Sequence, residues 1–333
     1  MRRRTLLRSG AAGALATLTA WRTVAAGGAT ASATATAAHG PAEDGRRHVA
    51  PRVVVLDWGL AETLLALGVV PAGVAEIGDY NANVVAPAVP PGVTDVGLRL
   101  APDLELLQQL APDLILINSS QASQRAMLER IAPVRAFAIY TDAGAPYRRA
   151  QQVTRELGRL CGCEAAADAL VVRAAQALAA ARARLVAMPS RARPRYLIRF
   201  FDSRHVGLYG ARSLFQDVFD ALGLVNAWRG PTDYWGIGVA PLETLADTAD
   251  AGLLYFEPLP QGVARTLASN RLWHALPAVA NNRVAALPPF WGFGMLPSAQ
   301  RFAAALTHAL LAEPDASSAG NASPAGTTGA AQS

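Results

Sequence analysis

EAAADALVVRAAQALAAARARLVA, residues 164–187, is alanine-rich and carries high helix propensity along its whole length. At 1.5 Å per residue it spans roughly 35 Å, about the width of a domain. Two sequence units recur on either side of it. ETLLALGVV (62–70) returns as DVFDALGLV (217–225), and LELLQQLAPDLILI (104–117) returns as LETLADTADAGLLY (242–255), with Glu105 against Glu243. Helix-to-strand units of this kind are common, so chance similarity is the alternative. Recurrence in the same order is explained most economically by two α/β lobes joined by one long helix.

The runs between these units fit that plan. VVVLD (53–57), LILIN (114–118), AFAIY (136–140), YLIRFF (196–201), LLYF (253–256) and VAALP (284–288) read as short buried strands, in sheets that are mainly parallel. Residues 62–67 read as a helix with Gly68 just past its end, and 213–222 as a second one. The expected division is an export signal and small-residue linker over 1–38, an N-terminal lobe over 48–145, a connecting helical segment over 146–190 and a C-terminal lobe over 191–312. A Ser/Gly/Ala/Thr tail over 313–333 is expected to be disordered.

The formal charge of +5 invites a nucleic-acid or membrane reading, but its source removes it. Arg2, Arg3, Arg4, Arg8 and Arg22 stand in the first 38 residues with no acid, and subtracting those five leaves about zero for the rest. Nucleic acid is therefore excluded as a partner. A basic start, a short apolar middle and A-x-A-like sites make an export signal, and Arg3-Arg4-Thr5-Leu6-Leu7-Arg8 fits the bacterial twin-arginine pattern. No lipobox cysteine stands near the leader, which favours a free over a tethered protein. Cys161 and Cys163, one residue apart, suit neither a disulfide nor a metal site and read as small residues at a helix junction.

Unusual side chains gather in loops after the strand-like runs: Trp58 after Asp57, Arg99 in DVGLR, NSSQ (118–121), DYWGIG (233–238) and PPFWGFG (288–294). Open α/β sheets bind ligands at the carboxyl ends of their strands, so two facing lobes would bring these loops onto one cleft. Trp291 and Phe293 alternate with Gly292 and Gly294, which lets both rings face one way toward a ligand. Trp235 reads equally as a loop anchor, and Trp228 as packing. The five histidines show no metal spacing, and no Gly-x-Ser-x-Gly elbow accompanies Ser203 and His205, so an exported hydrolase on that pair is a minor alternative.

LLALGVVPAGVAE (64–76), TDVGLRLAPDLELL (94–107), MLERIAP (127–133), YGARSLFQDVFDALGLVNAW (209–228), DYWGIG and PPFWGFG together give a resemblance. Over about residues 50–311 the chain resembles the periplasmic iron(III)-hydroxamate binding proteins of siderophore ABC importers. The resemblance implies two lobes bridged by one long helix, a shallow cleft with little closure, a monomer, and capture of ferric hydroxamates for delivery to an inner-membrane permease. Another iron chelate, haem or a corrinoid on the same scaffold is the alternative. It implies no catalytic residue, no cofactor and no protein ligand to the metal, because the iron arrives already chelated. By resemblance Arg99 donates hydrogen bonds to the iron-coordinating oxygens, and Trp235, Trp291 and Phe293 line the pocket, the last where tyrosine is usual. Gln121 stands where the family has a pocket tyrosine and is expected to donate in its place. Asn83 aligns near a pocket tryptophan, Asp233 stands where asparagine is common, and Ile237 where serine often is. Glu243, and less directly Glu129, fall near the acids that meet the permease.

Overall fold

The computed structural model describes residues 51–313; the expected export signal lies outside them, as does the expected tail beyond Glu313. β1 (Val53–Val55) leads into α1 (Trp58–Ala66), which starts a turn earlier than expected because the Asp57 carboxylate accepts the Leu60 N–H at 2.9 Å. Gly68, at φ 81°, ends it in the left-handed region that glycine enters without strain. There follow β2 (Gly73–Val74), α2 (Ile77–Asn83), β3 (Thr94–Asp95), β4 (Gly97–Leu98), β5 (Ala101–Pro102), α3 (Leu104–Leu110), β6 (Leu114–Asn118), α4 (Arg125–Leu128) and β7 (Val134–Phe137). β4 and β5 form a separate antiparallel pair. The remaining five strands make a wholly parallel sheet in the order β3-β2-β1-β6-β7.

β7 sits two residues upstream of the apolar run AFAIY. Its ladder stops at Phe137 because that residue pairs with Asn118, the last residue of β6. Ile139 and Tyr140 then leave the sheet and bury in the core.

α5 (Pro146–Cys161) and α6 (Glu164–Leu185) follow, joined at Gly162 with φ 65°. Cys161 is buried and Cys163 half-buried at this junction, both free. Burial pushes the Cys161 thiol up to about 11, so it stays protonated and inert near neutral pH. α6 buries Ala167, Leu170, Val171, Ala174, Leu178, Ala181 and Leu185, one stripe at helical spacing. Within that stripe Ala167, Ala174 and Ala181 leave room for neighbouring helices to approach closely.

The second lobe holds β8 (Pro194–Phe200), β9 (His205–Tyr209), α7 (Leu214–Leu222), β10 (Val225–Asn226), β11 (Ile237–Pro241), β12 (Gly252–Phe256), α8 (Val263–Ser269), α9 (Arg271–Ala275), α10 (Pro277–Ala280), β13 (Val284–Leu287) and α11 (Leu296–Leu311). The echo between the lobes is real: α7 is capped by Ser213 and ends on Gly223 at φ 69°, as α1 ends at Gly68. The sheet order is β11-β9-β8-β12-β13, with β10 also on β8. Here parallel pairing holds only for β8, β10, β12 and β13. β9 turns back antiparallel because only four residues, 201–204, connect it to β8, too few for a crossover. The Asp202 carboxylate tightens that turn by accepting the Arg204 and His205 N–H groups.

α1, α5, α6, α7 and α11 form a layer common to both sheets. One continuous cluster of buried residues runs from Val53, Leu64 and Phe137 through Leu170 and Leu178 to Phe219, Leu254 and Phe302. Separate cores cover the outer faces, around Leu107 and Ile115 in the first lobe and Ile198 and Leu253 in the second. No helix among the described residues is long and apolar enough to cross a membrane.

Because the middle core belongs to both lobes, they should unfold together. Urea unfolding followed by tryptophan fluorescence and by far-ultraviolet circular dichroism should give coincident transitions. Phe302→Ala, in the shared core, should cost about 3–5 kcal/mol and lower both midpoints equally.

Candidate functional site

Four segments at the carboxyl ends of the first sheet meet two loops of the second lobe around a cavity of about 360 Å³. The first wall is built on Arg99. β4 and β5 pair Leu98 with Ala101, so Arg99 and Leu100 occupy the turn between them. Glu76, held at φ 52°, sends its carboxylate to this turn, with Oε2 2.6 Å from Arg99 Nε and Oε1 accepting the Arg99 N–H at 3.2 Å. The guanidinium carbon lies 3.9 Å from the Trp58 ring centroid and 4.7 Å from that of Trp291. Contact with two indoles, tilted 60° to each other, suits a weakly hydrated cation. Trp58 is fixed in turn, its Nε1 donating to Ala75 O at 2.9 Å. Among the described residues neither Arg99 Nη nitrogen makes a hydrogen bond.

The second wall is PPFWGFG. Its first ring, Phe290, goes into the core against Phe256 at 5.6 Å and Phe302 at 5.7 Å, and anchors the loop. Trp291 and Phe293 both line the cavity, with centroids 5.1 Å apart. The glycines between them are spacers demanded by packing: a Cβ on Gly292 would lie 2.7 Å from the Tyr209 hydroxyl, and one on Gly294 would lie 2.2 Å from Ser298 Oγ. Trp235 stacks obliquely on Phe293 at 4.5 Å and completes the wall.

The loop is clamped from the other lobe on both sides of one peptide. The Tyr140 hydroxyl donates to Gly294 O at 2.7 Å. Glu62, on α1 and fully buried, accepts the Met295 N–H and, at 2.7 Å, the Ser298 hydroxyl. These donors belong to the start of α11, where the helix presents unpaired N–H groups and positive potential. Burial nevertheless raises the Glu62 carboxyl from 4.5 to about 7, against the opposing pull of these donors and of Arg301. Asp57, at the cavity floor, is also raised by burial, opposed by a hydrogen bond from Asn118 at 2.7 Å, by the Leu60 N–H and by the Arg99 charge.

Arg99, Gln121, Trp235, Trp291 and Phe293 are thus brought together, but Gln121 differs from expectation. Its Nε2 donates to Leu56 O at 3.1 Å and Arg99 O at 2.9 Å, and its Oε1 accepts the Asn118 N–H. Both amide hydrogens are committed, so Gln121 holds the Arg99 hairpin in place instead of donating to a ligand. Asn83 does not line the cavity: it ends α2 and its amide turns back to Asp79 O at 2.9 Å. Asp233 is likewise outside, its carboxylate accepting the Ile237 N–H to close the turn that presents Trp235. Glu243 is exposed on a short 3-10 turn, Leu242–Ala246, and Glu129 is exposed and paired with Arg125 at 2.7 Å. His205, the exposed first residue of β9, lies 3.0 Å from Asp202, whose carboxyl that hydrogen bond lowers to about 2, and neither residue reaches the cavity. Trp228 packs over Gly210, Gly230 and Gly238. Among the described residues no group of three or more His, Cys, Asp or Glu comes together to hold a metal ion.

Residues 53–290 match the model of the periplasmic binding protein family. The iron(3+)-hydroxamate-binding protein FhuD of Escherichia coli K12 is 34% identical over 259 residues, 78% of this chain and 86% of that relative. The structure of the siderophore-binding protein FhuD from Vibrio cholerae with Fe3+–Desferal bound is similar at a TM-score of 0.75 and 33% identity, over 79% of this chain and 98% of that one. The triscatecholate siderophore-binding protein FeuA of Bacillus subtilis, complexed with ferri-bacillibactin, shares the fold at a TM-score of 0.64 and 15% identity, over 78% and 92% of the two chains.

The raised carboxyl of Glu62 gives a signed pH dependence. Below about pH 4.5 it is neutral in folded and unfolded chains alike; as pH rises toward 7 the unfolded chain releases the proton first. Its contribution to stability is therefore full at acid pH and lost through neutrality, on the order of 3 kcal/mol. Urea midpoints measured from pH 5 to 8 should fall, and Glu62→Gln should flatten the decline.

Proposed function

The chain belongs to the periplasmic binding protein family, and from that premise we propose that it captures ferric hydroxamate siderophores in the periplasm and delivers them to an ABC importer for iron uptake. The observation that carries this is Arg99: a guanidinium fixed by Glu76 through Nε and laid against two indoles, with both Nη nitrogens free of partners among the described residues. A ferric trihydroxamate presents a face of electron-rich oxygens on an apolar skeleton. The Nη hydrogens suit the oxygens as charge-assisted donors. Trp235, Trp291 and Phe293 suit the skeleton, supplying apolar area without fixing one ligand shape. The iron keeps its hydroxamate ligands, so the protein binds and releases its cargo without turnover.

The remaining parts belong to the same proposal. The chain divides into a lobe over 48–145, a helical segment over 146–190 and a lobe over 191–312, acts as a monomer, and is exported by the twin-arginine route. Glu243 and Glu129, both exposed, are the candidates for meeting the permease.

Titration with ferrichrome, ferrioxamine and coprogen should quench tryptophan fluorescence, since three indoles adjoin the site. No quenching at micromolar ligand sinks the hydroxamate reading. Arg99→Ala should weaken binding about ten- to a hundredfold, the worth of hydrogen bonds from a charged donor at roughly 1.5–3 kcal/mol. Unchanged affinity would remove Arg99 from the site.

A further inference from the structure

Leu98 and Leu100 are 60% and 70% exposed, yet both line the cavity on either side of Arg99. Single exposed leucines need no explanation. Two of them bracketing the one cation of a ligand cavity, at a two-residue hairpin turn, are a different matter. Such turns favour glycine, asparagine and aspartate, and Leu-Arg-Leu serves none of that chemistry.

The hairpin is also held rigidly. Glu76 N–H donates to Gly97 O at 3.0 Å, Asp103 N–H to Val96 O at 2.9 Å, and Gln121 Nε2 to Arg99 O. The backbone that carries the leucines is therefore fixed before a ligand arrives, so only their side chains are ordered on covering them. At about 360 Å³ the cavity is near the low end of ligand pockets, roughly 300–1,000 Å³. A chelate whose oxygen face meets Arg99 must leave part of its skeleton outside, where these side chains are.

We propose that Leu98 and Leu100 form an apolar lip that covers the linkers of the chelate, so that the site prefers ferric hydroxamates whose linkers are mostly methylene over those joined through a peptide ring. The lip rests on the hydroxamate reading of the site. Linkers that are mostly methylene gain from contact with leucine by the area they withdraw from water, whereas a peptide ring, denser in amides, loses more hydration against the same surface.

Ferrioxamine E and ferrichrome test it, because both are neutral ferric trihydroxamates and differ in how the hydroxamates are joined. Purified wild type, Leu98→Ser/Leu100→Ser and Arg99→Ala are titrated with each by tryptophan fluorescence, with melting temperatures as a control for folding. The wild type should bind ferrioxamine E more tightly. The double variant should weaken ferrioxamine E about tenfold, roughly 1.4 kcal/mol, and ferrichrome less than about threefold. Arg99→Ala should weaken both alike. Equal losses, or no loss, in the double variant overturn the lip while leaving the hydroxamate reading intact. Wild-type affinity with lost transport in cells also overturns it, and gives the leucines to the permease. A wild type silent to both chelates overturns the hydroxamate reading and the lip with it.

Discussion

One buried carboxylate holds the two walls of the site in register. Glu62 belongs to the first lobe, but its oxygens take the N–H of Met295 and the hydroxyl of Ser298 at the start of the last helix. With Tyr140 gripping the Gly294 carbonyl, the first lobe fixes the peptide between Gly294 and Met295 from both sides. Removing a carboxylate from water is costly, and only well-aimed donors offset it. The start of a sixteen-residue helix supplies them. Gly294 is then forced, since any side chain there would collide with Ser298 and approach Glu62. The aromatic loop stands where it does because a polar interaction beneath it leaves it no alternative.

Arg99 is governed by the same economy of support. Its hairpin has only two residues in each strand and would not persist alone. Gln121 and Glu76 secure its backbone, Glu76 orients its guanidinium, and two indoles flank it. The acids of the cavity thus act as fixtures: Glu76 for the cation, Asp57 for the capped start of α1 and the Asn118 amide.

Much of the fold was legible because its signals are local. An apolar run set between Pro112-Asp113 and Ser119-Ser120 gave β6 its bounds at 114–118, and the glycines after two echoing helices gave the repeat. The long helix followed from its alanines, ending two residues short of the run at Leu185. The antiparallel β9 was harder, because strand-like runs carry no direction and only the four-residue connection betrays it. In the site, Trp291 and Phe293 were reached from their alternation with glycine, Arg99 and Trp235 through a resemblance, and the geometry gathers them around one cavity. Gln121 was assigned a donor role that its own backbone partners consume. Nothing near Glu62 in the sequence marks it out, since its partners lie 233 and 236 positions away. Glu76 depended on a left-handed backbone that no sequence spacing announces.

The core that runs beneath both sheets has a kinetic consequence. A receptor that folds over its ligand must reopen to release it, and an internal equilibrium then sets the pace. Here bending the lobes apart would disrupt a single body of packed side chains, which disfavours such a step between solution and site. Arrival is then limited by diffusion and orientation, typically ~10⁵–10⁷ M⁻¹s⁻¹. Ligands that enter alike are sorted by how long they stay, and residence time is written in the contacts of one preformed surface.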